Sequence, residues 1–81
     1  MMSKETIFEQ IKRELGFIYD DEEITLQTNF ETDLDMDSLD MMELISDTED
    51  RFNVNADNFS EKPLTVEDLV DEIWEQMRVS R

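Results

Sequence analysis

The chain has 81 residues, of which 23 are acidic and 7 are basic, so its formal net charge is −16. A surface this acidic repels nucleic-acid phosphates and anionic lipid headgroups and attracts basic partner proteins. The chain has no cysteine and no histidine, which excludes disulfides and thiolate sites and removes the usual general base and the commonest metal ligand.

Residues 1–81 are predicted to form one small all-α domain, because this length suits a single domain with a thin core. The chain has one glycine and one proline, which favours helices joined by a few loops. No apolar run reaches transmembrane length and no signal peptide opens the chain. We therefore expect a soluble, cytoplasmic monomer that does not insert into membranes.

The first helix is predicted over about residues 4–15, with Ser3 as its N-cap and Gly16 at its end. Its apolar stripe consists of Ile7, Phe8, Ile11 and Leu15. From Gly16 to Met36 the apolar residues are too widely spaced for one helix, so we predict a long ordered loop. Its predicted anchors to the core are Phe17, Ile18, Ile24, Leu26, Phe30 and Leu34.

The second helix is predicted to begin after Asp37, a favourable N-cap, and to end near Phe52. Its core face consists of Met41, Leu44, Ile45, Thr48 and Phe52. A different side of the helix carries Leu39, Met42 and Ser46 beside the acids Glu43, Glu49 and Asp50. A second apolar stripe bordered by acids is typical of a partner-docking face. The alternative is that Leu39 and Met42 are ordinary exposed apolar residues.

A short third helix is predicted within residues 55–61, anchored by Phe59, and Pro63 breaks it. The last helix begins after Thr65, which forms a predicted capping box with Asp68. Its core side consists of Val66, Leu69, Val70, Ile73 and Met77, with Trp74 on the flank. The predicted fold is a small four-helix bundle with three longer helices, one short third helix and a long first loop.

Ser38 is predicted to be the exposed first residue of the second helix. A catalytic serine needs a base within hydrogen-bond reach. Without histidine, and with every lysine far away in the sequence, we assign no catalytic residue. The residues themselves favour a serine that another enzyme modifies, because a helix N-terminus favours a phosphate group, but they do not name the group.

Three aspartates before Ser38 have the spacing of an EF-hand loop: Asp33, Asp35 and Asp37. Ser38 stands where such a loop needs glycine, and Leu44 stands where it needs a bidentate glutamate. We therefore assign no metal site, and weak cation binding by the crowded acids remains an alternative.

The run Asp37-Ser38-Leu39-Asp40, together with the sequence on both sides of it, resembles the acyl carrier proteins. The matching segments before it are Leu15-Gly16, Glu23-Ile24-Thr25, Phe30 and Asp33-Leu34. Those after it are Glu43-Leu44, Phe52 and Thr65-Val66-Glu67-Asp68-Leu69-Val70.

This resemblance implies that Ser38 carries covalent 4'-phosphopantetheine, whose thiol holds acyl groups as thioesters. It implies a noncatalytic carrier that presents acyl intermediates to fatty-acid or related biosynthetic enzymes. The expected partners are a phosphopantetheinyl transferase and the basic surfaces of acyl-handling synthases and transferases. The positions expected to contact them are Asp37, Leu39, Met42, Glu43 and Asp50.

The chain departs from the usual family pattern near the serine. Asp35 stands where the family usually has glycine, and Met36 where a small residue is common. Ser46, Asp47 and Thr48 stand where apolar or small residues are usual. A carrier for aminoacyl or polyketide units is an alternative with the same attachment chemistry. The alternative from another class is an acidic interaction module or weak calcium binder with Ser38 unmodified.

Overall fold

A computed structural model describes residues 3–19 and 23–79, and within them the chain forms three α-helices. These are α1 (Lys4–Gly16), α2 (Ser38–Phe52) and α3 (Val66–Val79), and one 3₁₀ turn (Ala56–Asn58) lies between α2 and α3. The all-α fold class is confirmed. The predicted four-helix bundle is not, because the segment expected to form a short third helix makes only the 3₁₀ turn.

Long-range hydrogen bonds hold that 3₁₀ turn between α2 and α3. Gln76 of α3 bonds both backbone groups of Asn55, accepting its N–H at 3.1 Å and donating to its carbonyl at 2.8 Å. Glu49 of α2 accepts the N–H of Ala56 at 2.8 Å. Phe59 ends the turn with an extended backbone and is half-buried against the core, as predicted. These contacts hold the segment in a single turn, which the extended backbone at Phe59 ends.

The core lies between α1 and α3, with α2 and the first loop closing it. Its buried apolar residues are Ile7, Ile11, Leu15, Ile24, Phe30, Met36, Met41, Leu44, Phe52, Val66, Leu69, Val70 and Ile73. Phe8, Ile45, Trp74 and Met77 are half-buried against this core. Thr48 is the polar residue on the core face of α2, and its hydroxyl donates to the carbonyl of Leu44 at 2.8 Å. In the described part of the chain, no helix is both long and apolar enough to cross a bilayer.

The start of α1 is as predicted, and the helix ends at Gly16 as predicted but without a left-handed cap. The Ser3 hydroxyl accepts the N–H of Thr6 at 3.2 Å, which confirms the N-cap. Gly16 does not take the left-handed conformation of a glycine C-cap. The right-handed backbone instead continues into Phe17, at φ −72° and ψ −20°.

Two predicted anchors of the first loop are wrong. Phe17 and Ile18 are 81% and 75% exposed. At about 100° per residue, the continued turn places Phe17 on the side opposite the buried Leu15. Of the other predicted anchors, Ile24 and Phe30 are buried, and Leu26 and Leu34 are half-buried.

The first loop is tied to the start of α3. An isolated antiparallel bridge pairs Asn29 with Thr65, and the N–H of Phe30 donates to the Leu64 carbonyl at 3.0 Å. Beyond the bridge, Asp35 has φ 55°, a left-handed region that glycine enters freely and aspartate tolerates. The bridge and the left-handed residue Asp35 therefore fix the direction in which the loop enters α2.

The capping box predicted at the start of α3 is confirmed. The Thr65 hydroxyl accepts the N–H of Asp68 at 3.1 Å, and the Asp68 carboxylate accepts the N–H of Thr65 at 3.2 Å. The same carboxylate also accepts the N–H of Leu64 at 3.0 Å. This cap fixes the end of the loop that pairs with residues 29 and 30.

Candidate functional site

The site is the first turn of α2, where Ser38 is the first helical residue and is exposed. Asp37 is the N-cap, and its carboxylate accepts the N–H of Asp40 at 2.9 Å. The carboxylate of Asp40 accepts the N–H of Asp37 at 3.2 Å in return. Each carboxylate satisfies a backbone donor that the helix itself leaves open. The two bonds fix the geometry of the turn from which the Ser38 hydroxyl projects.

The N-cap and the position of Ser38 were predicted from the sequence, whereas the role of Asp40 was not. The signal was available, since Asp40 follows the N-cap by three residues, the spacing of a capping box. An aspartate replaces the usual glutamate or glutamine at this position, as Asp68 does at the start of α3.

Tyr19 is a second residue near the site that was not predicted. The pKa of its hydroxyl is raised above the ordinary 10.0, first by partial burial and then by the negative charges of Asp40, Asp35 and Asp37. Tyr19 and Asp40 line the same depression beside α2, so the tyrosine is near the first turn of that helix. Nothing in the local spacing of the first loop could have placed it there, because its position depends on how α1 meets α2.

A groove of about 530 Å³ begins at Ser38 and follows one side of α2. Its α2 wall consists of Met41, Met42, Ile45, Ser46 and Glu49, and its opposite wall consists of Ala56, Asp57, Lys62 and Pro63. Most of its lining is apolar, so it suits an aliphatic chain better than a charged group. Because Ser38 itself lines the groove, a group attached to the serine begins at its mouth.

The remaining predicted partner residues are on the surface of α2, and the helical spacing places them within one arc of about 100° on the side away from the core. Leu39 and Met42 are 63% and 67% exposed, and Met42 lines the groove at Ser38. Glu43 is exposed and lines a depression on the other side of α2. Asp50 is exposed nearer the end of the helix. The predicted docking face is therefore a ridge between two depressions.

Two of the three aspartates with EF-hand spacing accept hydrogen bonds from backbone N–H groups. Asp33 accepts the N–H of Asn29 at 2.7 Å, and Asp37 accepts that of Asp40. Within residues 3–19 and 23–79, no three His, Cys, Asp or Glu side chains are grouped so that they could hold a metal ion.

Known proteins resemble the chain over almost its whole length. The profile of a family described as "Phosphopantetheine attachment site" matches residues 5–73. The acyl carrier protein of Lactobacillus acidophilus is 44% identical over 75 residues, which span 89% of this chain and 94% of that protein. The acyl carrier protein of Exiguobacterium sibiricum is 41% identical over 81 residues, or 94% and 100% of the two chains. That of Lactococcus lactis is 51% identical over 49 residues, or 60% and 64%.

Proposed function

The chain belongs to the acyl carrier proteins, and from this membership we propose that Ser38 is the residue to which 4'-phosphopantetheine is attached. As a member of this family the chain is a carrier and not an enzyme. Covalent phosphopantetheine is its cofactor, and the thiol of the cofactor holds the acyl group as a thioester. Because the chain has no cysteine, this arm supplies a thiol that the chain's own residues do not have.

Ser38 is the described serine that best fits the attachment. The hydroxyls of Ser3 and Ser60 are hydrogen-bonded to neighbouring side chains, and Ser46 lies in the middle of α2. Ser38 is exposed at the start of a helix and at the mouth of the groove. This position, open to an enzyme and beside an apolar groove, is the observation that carries the proposal.

Two opposing electrostatic effects act on a phosphodiester at Ser38. The first N–H groups of a helix and its dipole attract a phosphate. The negative charges of Asp37 and Asp40 oppose it, but each carboxylate already accepts a backbone N–H. The helix terminus therefore offsets part of the repulsion, and the arm extends away from the first turn.

The cargo that fits the groove best is an aliphatic acyl chain. Met41, Met42 and Ile45 supply apolar surface beside Ser38. Burying methylene groups there stabilises the loaded protein by about 0.8 kcal/mol for each group removed from water. A charged aminoacyl group has less apolar surface to bury against this lining, so we favour a fatty-acid carrier over an aminoacyl carrier.

Loading and use of the arm require a phosphopantetheinyl transferase and acyl-handling enzymes. We infer that basic surfaces of these enzymes contact Asp37, Leu39, Met42, Glu43 and Asp50. All five are exposed, and the net charge of −16 attracts a basic surface over long range. We also infer a monomer in the cytoplasm, because the charge repels a second copy and loading consumes coenzyme A.

The attachment is tested by incubating the unmodified protein with coenzyme A and a phosphopantetheinyl transferase. The wild type should gain one phosphopantetheine, Ser38→Ala should gain none, and the control Ser60→Ala should be loaded like the wild type. Loading of Ser38→Ala, or an arm on another serine, would show that the assignment is wrong.

The preference for an aliphatic cargo is tested by thermal melting of the loaded protein. A decanoyl thioester should raise the melting temperature above that of the protein with a free thiol, and a glycyl thioester should not. Equal melting temperatures for the two thioesters would remove the support for a fatty-acid carrier and would leave the attachment at Ser38 intact.

A further inference from the structure

A smaller depression lies on the side of α2 away from the groove at Ser38. It has a volume of about 150 Å³ and separates α2 from the end of α1. Its floor includes the buried side chains of Leu15, Met36 and Leu44. Its α2 wall carries the acids Asp40, Glu43 and Asp47, and the segment 17–19 lines it from the α1 side. An apolar floor with an acidic rim suits an apolar side chain that has basic neighbours.

Phe17 and Ile18, at the rim of this depression, are the most exposed of the large apolar side chains described. Their exposure is fixed by the backbone. The N–H groups of Ile18 and Tyr19 both donate to the carbonyl of Leu15, at 3.0 Å and 2.8 Å. Leu15 itself is buried in the core. The two side chains are therefore held outward by a turn that is anchored to α1, which is typical of a docking surface.

We propose that Phe17, Ile18 and the depression beside them form a second docking surface, which binds the phosphopantetheinyl transferase. The transferase contributes an apolar side chain with lysine or arginine beside it. This inference rests on the proposed role of Ser38. The transferase must bring its own catalytic groups to the Ser38 hydroxyl, so its contact area has to include the start of α2. Asp40 belongs both to that first turn and to the wall of the depression. Enzymes that act on the thioester react at the end of the arm, so their catalytic groups do not have to reach the Ser38 hydroxyl.

The charges at the rim favour a basic partner over the other candidates. Glu43 and Asp47 take part in none of the ion pairs found in residues 3–19 and 23–79. A second copy of the chain would place the same acids against each other, and an anionic lipid surface would be repelled in the same way. A basic enzyme surface neutralises these acids while it covers the apolar pair.

The test is the loading kinetics of a double variant, Phe17→Ser with Ile18→Ser, with the transferase that loads the wild type. Its KM for the carrier should rise about tenfold, a loss typical of removing well-placed apolar contacts. Its kcat and its melting temperature should stay near the wild-type values, because both side chains are exposed and Ser38 is intact. Leu64→Ser is the matched control: this leucine is 49% exposed, lies in the loop before α3, and should leave the KM unchanged.

The loading experiment separates the second docking surface from the attachment at Ser38. If the wild type is loaded and the double variant has the same KM, the second docking surface is overturned and the attachment at Ser38 stands. If the wild type is not loaded, both proposals fall. A contact map provides a second measurement that needs no variant. Transferase added to ¹⁵N-labelled protein should perturb the amide signals of residues 17 and 18, and unperturbed signals there would also overturn the surface.

Discussion

Asp37 and Asp40 exchange two hydrogen bonds across the first turn of α2, at 2.9 Å and 3.2 Å, and Ser38 lies between them in the sequence. Because each carboxylate bonds the backbone N–H of the other residue, the turn has one preferred geometry. That geometry starts the helix at Ser38 and directs its hydroxyl to solvent and to the mouth of the groove. The acids beside the serine therefore have a local structural role in addition to their charge.

Removing the N-cap should weaken the fold measurably. Asp37→Ala should lower the free energy of unfolding by about 1 kcal/mol, because the N–H of Asp40 loses its acceptor. Asp37→Asn removes the same charge but keeps an oxygen that can accept the bond, so it should cost much less. Urea denaturation of both variants checks this, and equal stabilities would show that the hydrogen bond contributes nothing.

The left-handed residue before the site gives a second stability prediction. Asp35 has φ 55°, which glycine adopts freely and alanine does not. Asp35→Gly should therefore be more stable than Asp35→Ala by about 1 kcal/mol. Both variants remove the same negative charge, so their difference in urea denaturation isolates the backbone effect. The opposite order would contradict the left-handed conformation at this position.

The helices and most of the core could be predicted because their signals are local. The apolar spacing in α1, α2 and α3 identifies the buried faces, and Ser3 and Asp37 mark helix starts as single residues. For the same reason the position of Ser38 followed from its place directly after an N-cap. Local signals thus located the residue proposed to carry the cofactor.

The errors concern features that tertiary contacts decide. Phe17 and Ile18 were predicted to anchor the first loop, yet the backbone continues right-handed after Gly16 and both side chains are exposed. The 3₁₀ turn depends on hydrogen bonds from Gln76 and Glu49, which lie on two different helices. The two depressions beside α2 and the position of Tyr19 near the acids depend equally on how the elements pack. No spacing rule within one segment contains this information.

A buried and an exposed residue of α2 should respond differently to truncation. Phe52 is 6% exposed, so Phe52→Ala should cost about 3–5 kcal/mol and could unfold so small a domain. Leu39 is 63% exposed, so Leu39→Ala should change the stability by no more than about 0.5 kcal/mol while weakening the complex with a partner enzyme. Thermal melts and transferase binding check the pair. Similar destabilisation by both variants would mean that α2 presents a different face to the core.

The single tyrosine of the chain reports on the charges around Ser38. Burial and then Asp40, Asp35 and Asp37 raise the pKa of Tyr19 above 10.0, so it should ionise later than a free tyrosine in an absorbance titration. Asp40→Asn should bring this pKa back towards 10.0, and high salt should act in the same direction. A tyrosine pKa at or below 10.0 in the wild type would place the ring away from these acids.

The raised pKa of Tyr19 also determines how the stability of the fold changes with pH. The folded protein holds the tyrosine proton more tightly than the unfolded chain does. The contribution of Tyr19 to the free energy of unfolding is therefore fully present below the pKa that the tyrosine has in the unfolded chain. It is lost as the pH rises through the pKa that the tyrosine has in the folded protein. Because the ring is only partly covered, the change should be small, and denaturation at alkaline pH with Tyr19→Phe as the control should reveal it.

The most direct test of the central claim is an intact-mass measurement, with fragmentation, of the protein isolated from its own cell. We predict a chain that carries one phosphopantetheine on Ser38. In part of the molecules, the arm should also carry an aliphatic acyl group. Glycyl or other aminoacyl cargo would contradict the proposed substrate class. An unmodified chain, or an arm on Ser3, Ser46, Ser60 or Ser80, would contradict the assignment of Ser38 itself.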